Sequence, residues 1–181
     1  MYRIWGGPIC VLCVLLCGCP RHQSPPPPAS ATMVGYSPPK GGFTTQYPSA
    51  WRATTGEDTL DLVPAQDNSG GKRSLSIDAP DIPFHVPGMI TLDRVQKGFI
   101  GDLQRQYQDV HFDSAVDQAM PGAKARRIKA TAKSGGTPMA VDAVIAIHHD
   151  QIYIISSECD QTDAQAGSAA LEDMLTAWQW N

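Results

Sequence analysis

The chain has 181 residues, 42% apolar and 18% charged, with a formal net charge of −4 and a pI near 5.6. That balance leaves no basic surplus to neutralise phosphates and argues against a nucleic-acid partner. No apolar run reaches the roughly 18 residues of a membrane-spanning helix, which excludes a multi-spanning membrane protein.

The first segment reads as an export address. Arg3 is its only charge, Ile9 to Leu16 is unbroken apolar chain, and Leu16-Cys17-Gly18-Cys19 leads into polar, proline-rich sequence. A positive start, a short apolar core and a small-residue boundary describe a secretory signal peptide. Cys10 and Cys13 have metal-ligand spacing, but they lie in the segment that export removes. Cys159 is then the one thiol of the folded part, so no disulfide forms inside it.

The boundary Leu16-Cys17-Gly18-Cys19 resembles the lipobox of bacterial lipoproteins, Leu-x-Gly-Cys. The resemblance implies a signal peptide over 1–18, cleaved between Gly18 and Cys19. It also implies diacylglycerol on the Cys19 sulfur and a further acyl chain on its amino group. Each buried methylene contributes roughly 0.8 kcal/mol and two or more chains anchor stably. The expected contact with the membrane is therefore the lipid on Cys19, with the domain held outside the cytoplasm.

Residues 19–40 read as a lipidated tether. Pro25 to Pro28 is a proline run, and the surrounding Ser, Ala and Thr offer little to bury. Such composition does not repay the entropy of ordering, and the proline run favours an extended polyproline II rod. The segment reaches roughly 25 Å as a coil and about 65 Å fully extended.

Residues 41–181 read as one domain, long enough to bury roughly two thirds of its unfolded surface. Phe43, Thr45 and Tyr47 alternate in a short strand, with Trp51 capping the core beside it. Residues 59–63 and 74–79 alternate likewise and form a hairpin around the Asp67–Gly71 turn chemistry. Prolines at 80, 83 and 87 forbid a regular element there. Leu92, Val95, Phe99, Leu103 and Tyr107 then recur at helical spacing behind a Thr91 cap. Gly98 and Gly101 inside that helix suggest close approach to a sheet. Phe112, Ser114 and Val116 mark another strand face. On the strand after Gly122, Arg126, Ile128, Ala130 and Ala132 share one side; Arg127, Lys129, Thr131 and Lys133 share the other. Residues 139–147 are almost continuously apolar, so both faces of that strand are covered. Residues 151–157 are another strand, and Asp163 opens a helix lined by Leu171, Met174, Leu175 and Trp178. Short turns join the three strands between about 124 and 157, which requires antiparallel pairing. The fold class is α+β: a twisted antiparallel β-sheet sandwiched by α-helices.

The domain also resembles the PsbP-like group, which includes the Mog and DcrB proteins. The resemblance rests on Gly42-Phe43-x-x-x-Tyr47-Pro48-x-x-Trp51, the helix around Phe99, the strands around Val144 and Ile154, and the closing Leu175-Thr176-Ala177-Trp178. It implies an accessory or adaptor role and carries over no catalytic residue.

Three groups of residues have candidate chemistry. His148-His149-Asp150 has metal or proton-transfer chemistry only if a turn converges the two imidazoles, because neighbours on a strand point to opposite faces. Cys159 lies between Glu158 and Asp160, whose charges disfavour a thiolate. Arg127, Lys129 and Lys133 form a basic strand face suited to anionic lipid or an acidic partner, and a helix laid over it would demand partners for the charges. No Gly-x-Ser-x-Gly elbow, phosphate loop or His-Glu-x-x-His is present. The expected function is therefore a membrane-anchored envelope lipoprotein with a non-catalytic accessory or binding domain. It needs no cofactor, and its partner is an unidentified envelope protein. The alternatives are a small-molecule or metal-binding carrier and an envelope hydrolase.

Overall fold

The computed structural model describes residues 32–65, 72–80 and 90–181. The leader, Gly18, Cys19, the proline run, the Asp67–Gly71 turn and the prolines at 83 and 87 lie outside the described residues.

Five strands come first among the described residues: β1 (Met33–Tyr36), β2 (Phe43–Pro48), β3 (Trp51–Thr55), β4 (Thr59–Pro64) and β5 (Arg73–Asp78). Helix α1 (Leu92–Gln106) follows, then β6 (Gln108–Gln118), β7 (Lys124–Ser134), β8 (Thr137–His148) and β9 (Gln151–Asp160). A 3₁₀ turn, Gln161–Asp163, leads into α2 (Ala164–Thr176) and a last short strand, β10 (Gln179–Trp180). Seven strands make one sheet in the order β3-β4-β5-β9-β8-β7-β6, and β1-β2-β10 make a second, small one. Every pairing is antiparallel.

Two tight turns set the register of the long strands. Gly135 and Gly136 join β7 to β8 with φ of 58° and 88°. His149 and Asp150 join β8 to β9 with φ of 47° and 62°. Positive φ at both loop positions matches the twist of a two-residue hairpin. Glycine adopts it freely, and His and Asp are among the side chains that tolerate it.

Strand β8 explains why its sequence is apolar throughout. Val141, Ala143 and Ile145 face α1 and pack with Phe99, Leu103, Ile128 and Ala130. Val144 and Ala146 face the other way, into a core with Leu171 and Met174 of α2 and Phe43 of the small sheet. The large sheet thus has α1 on one face and α2 with the small sheet on the other. Helix α1 starts where expected: the Thr91 hydroxyl accepts the Arg94 N–H at 3.3 Å.

Several details differ from the sequence expectation. Met33–Tyr36 falls in the stretch read as tether, yet it is a strand, paired from Met33↔Pro48 to Tyr36↔Thr45. Four residues carry no measurable period, and its identity comes from β2 beside it. Trp51 does pack on the core, but as the first residue of β3, where Ala53 shares that contact. Phe112 and Val116 do not share a face. A bulge between Phe112 and Ser114 sets Phe112 opposite Ala130 on the α1 side and Val116 opposite Arg127 on the α2 side. Both are exposed, at 38% and 55%.

The helical glycines also differ. A Cβ at Gly98 meets nothing within 4 Å, and one at Gly101 meets only the end of Arg105 at 3.6 Å. The close approach occurs instead at Gly167 of α2, where a Cβ would lie 2.5 Å from Ser157 Oγ and 2.9 Å from Cys159 Sγ. Gly98→Ala is therefore expected to stabilise by about 0.5–1 kcal/mol. Gly167→Ala is expected to destabilise, because overpacking of about 1–3 kcal/mol outweighs the same helix gain. Urea denaturation of both variants checks the pair; equal signs would refute the packing assignment.

Candidate functional site

Four basic side chains of β7, Arg126, Arg127, Lys129 and Lys133, have acidic partners. Arg127 grips Asp142 through Nε and Nη2, both at 2.7 Å, and its Nη1 reaches Glu172 of α2. Ser168 of α2 donates to the same Asp142 at 2.6 Å, and Lys129 stands 3.6 Å from it. Lys133 pairs with Asp109 at 2.8 Å. On the opposite side of the strand, Arg126 holds Asp93 at 2.5 Å and Asp117 at 3.1 Å. Helix α2 does lie over the face with Arg127, and it brings the carboxylate and hydroxyl that such a position requires. Burial opposes ionisation of Asp142, but the Arg127 and Ser168 hydrogen bonds overcome it and hold the carboxyl below its ordinary range. The positive charge concentrated here is thus matched by carboxylates.

The turn after β8 does bring the two histidines together, with ring centroids 4.0 Å apart. His148 also stacks flat on Trp180 at 4.2 Å and contacts the Gly122 carbonyl oxygen through Nδ1 at 2.7 Å. Among the described residues no group of three His, Cys, Asp or Glu side chains is placed to hold a metal ion.

Cys159 is sealed under α2 at 2% exposure. Burial, more than its flanking acids, pushes its thiol pKa up. Glu158 points to the other face, where it accepts a hydrogen bond from the Tyr107 hydroxyl. Burial and that bond push the tyrosine pKa far up.

A feature with no sequence signal is a cleft of about 240 Å³ between the β1–β2 connection and the β4, β5 and β9 strands. Tyr36, Phe43, Leu60 and Ile77 form its apolar walls, and Lys40 and Asp58 are among its polar residues. Lys40 Nζ is 2.8 Å from Asp58 and 3.5 Å from Glu57. Burial first, then the Asp58 charge, raises the Tyr36 pKa. The Tyr153 side chain also lines the cleft, and the residue is 6% exposed. Its hydroxyl passes close over Gly42, where a Cβ would stand 2.9 Å from it. Gly42 has φ of 93°, which favours glycine independently of that contact. Among the described residues the Tyr153 hydroxyl has no hydrogen-bond partner. The cleft residues span Tyr36 to Tyr153 in sequence, so no local motif announces them.

No family model and no curated protein matches this chain, but solved structures do. The cyanobacterial PsbP of Synechocystis aligns with a TM-score of 0.63 at 12% identity, over 87% of this chain and 98% of that one. The Ran-binding protein Mog1p of Saccharomyces cerevisiae gives 0.56 at 10% identity, over 83% and 96%. LpqN, involved in cell envelope biogenesis in Mycobacterium tuberculosis, gives 0.54 at 11% identity, over 84% and 92%. The domain is therefore a PsbP-like α+β fold, shared with Mog1. At these identities the likeness is one of architecture, and function has to be argued from the site.

Proposed function

We propose that this chain is an envelope lipoprotein, anchored through Cys19, whose PsbP-like domain is a non-catalytic binding module. The observation that carries the binding role is the cleft: apolar walls and a charged rim in one small concavity, lined also by Tyr153, whose hydroxyl has no partner among the described residues. Its size suits one protruding group of a partner better than a whole metabolite, since ligand sites usually start near 300 Å³. The exposed large apolar residues of the described chain support the same mode. Val34, Val63, Phe112 and Val116 lie on separate strands or opposite faces, not in one broad patch. Cys159, buried with a raised pKa, and Arg127, locked to Asp142, serve the fold. Among the described residues no helix is long and apolar enough to cross a membrane, and the lipobox supplies another attachment. The involvement of LpqN in cell envelope biogenesis fits the same reading.

Mass spectrometry of the mature N-terminus tests the anchor. A triacylated Cys19 is the expected species, and Cys19→Ala is expected to move the protein out of the membrane fraction. An unmodified amino end, or cleavage at another bond, would overturn the lipoprotein reading. Affinity capture from detergent-solubilised envelope tests the binding role: the partner recovered by the native chain is expected to be lost on Gly42→Leu, which fills the cleft. Equal recovery with both baits would refute binding through the cleft.

A further inference from the structure

We propose that the cleft between the two sheets recognises a primary alkylammonium group on a short aliphatic stem. The proposal rests on the binding role above and names the chemistry that the cleft accepts. The stem is accommodated by Tyr36, Leu60 and Ile77, as apolar walls accept the methylenes of an amphipathic side chain. The charge preference comes from the rim, where among the described residues Glu57 and Asp58 both pair with Lys40. Among these described residues, two carboxylates against one ammonium leave an excess of negative charge beside the aromatic wall of Tyr36. Carboxylates and aromatic rings together favour cations and reject anions.

Tyr153 adds a second requirement. The residue lines the cleft, and among the described residues its hydroxyl has no hydrogen-bond partner, so a ligand with several N–H donors that reaches both would satisfy it and Asp58. A primary ammonium has three. Lys40 is an internal precedent: the structure already seats an alkylammonium against Asp58, 2.8 Å away. An incoming amine would share or take that place, which makes Lys40 a competitor for the site.

One chemistry has two sources here, a free amine or a lysine side chain of a partner protein. The test is an NMR titration of the acylated full chain in detergent micelles, following the Gly42 amide and the Ile77 methyl. The probes are n-pentylamine, n-pentanol and pentanoate, with pentanol as the control for partition into micelles. Saturable binding of the amine is expected, about tenfold weaker binding of the alcohol, and none of the anion. Asp58→Asn should weaken the amine at least about fivefold, and Lys40→Met should tighten it. Nα-acetyl-lysine methylamide and its Nε-acetylated form separate the sources. Binding of the first as tight as pentylamine points to a partner lysine, and binding of pentylamine alone points to a small amine. Pentanoate binding as well as the amine, or an Asp58→Asn variant with native affinity, would overturn the proposal. If the amine fails while Gly42→Leu still abolishes envelope capture, the ligand class is wrong and the binding role stands. If both fail, the binding role falls as well.

Discussion

Arg127→Ala is expected to lower the stability of the domain by about 3–5 kcal/mol, the cost of stranding a buried charge. Arg127 and Asp142 have side chains only 12% and 8% exposed, so water cannot replace the lost partner. Ser168 and Lys129 would remain near the carboxylate, but only Arg127 supplies two parallel donors at 2.7 Å. The pH dependence separates this cause from simple loss of packing. In the native protein the folded pKa of Asp142 lies below its unfolded value of 3.8. Its stabilising contribution is therefore present above about pH 4 and is lost as pH falls through the folded pKa. In Arg127→Ala, burial is opposed only by the Ser168 hydrogen bond and the more distant Lys129, and the folded pKa is expected to rise above the unfolded one. The penalty is then full at neutral pH and shrinks as acid protonates Asp142. Denaturant midpoints of the two proteins should draw together on acidification. A constant gap from pH 7 to pH 3 would mean that the guanidinium acts only by its volume. The double variant Arg127→Met, Asp142→Leu removes both charges and is expected to recover most of the loss.

The same pair shows where sequence reading stops. The alternation along β7 is a local property, so the grouping of Arg127, Lys129 and Lys133 on one side followed from period alone. The partners are not local: Asp142 is 15 residues away and Glu172 is 45. A basic strand face and a neutral ion-pair network have the same sequence until α2 is laid on top. Long periodic segments were readable for the reason that makes them stable, a whole face committed to burial. Strands β8 and β9, helix α1 and the β4–β5 hairpin are of this kind. Strands β1 and β10, with four and two residues, exist only through pairing with β2. Nor does composition reveal that the bulge at Asp113 turns Phe112 and Val116 to opposite faces. Gly98 and Gly167 look alike in a helical pattern, and only the neighbours across the sheet distinguish open space from a sealed contact. The cleft lies furthest from sequence, because the large sheet and the small one each contribute one side of it.

Phe43→Ala is expected to cost about 3–5 kcal/mol and to loosen the small sheet from the large one. Phe43 is 2% exposed and stands where three aromatic contacts meet. It stacks on Trp178 at 4.1 Å with planes 9° apart, meets Tyr153 edge-on at 5.7 Å, and has Tyr36 at 6.1 Å. Such ring pairs add about 0.5–1.5 kcal/mol each to the burial itself. Besides this ring, β2 packs on α2, where the Thr45 hydroxyl donates to the Met174 carbonyl oxygen at 2.7 Å, and β10 pairs with β2 over two residues. Alanine at position 43 would leave a void beneath both sheets and remove a wall of the cleft together with the ring that faces Tyr153. The measurement is urea denaturation followed by tryptophan emission, since Trp178 reports on the stack directly. Emission of the native-state variant should shift to the red, and Phe43→Leu should cost distinctly less because it keeps apolar volume without the ring face. A loss under about 1 kcal/mol with unchanged emission would show that β2 is held by its backbone pairing instead. The cleft would then owe its shape to the strands, and the aromatic side chains would only decorate it.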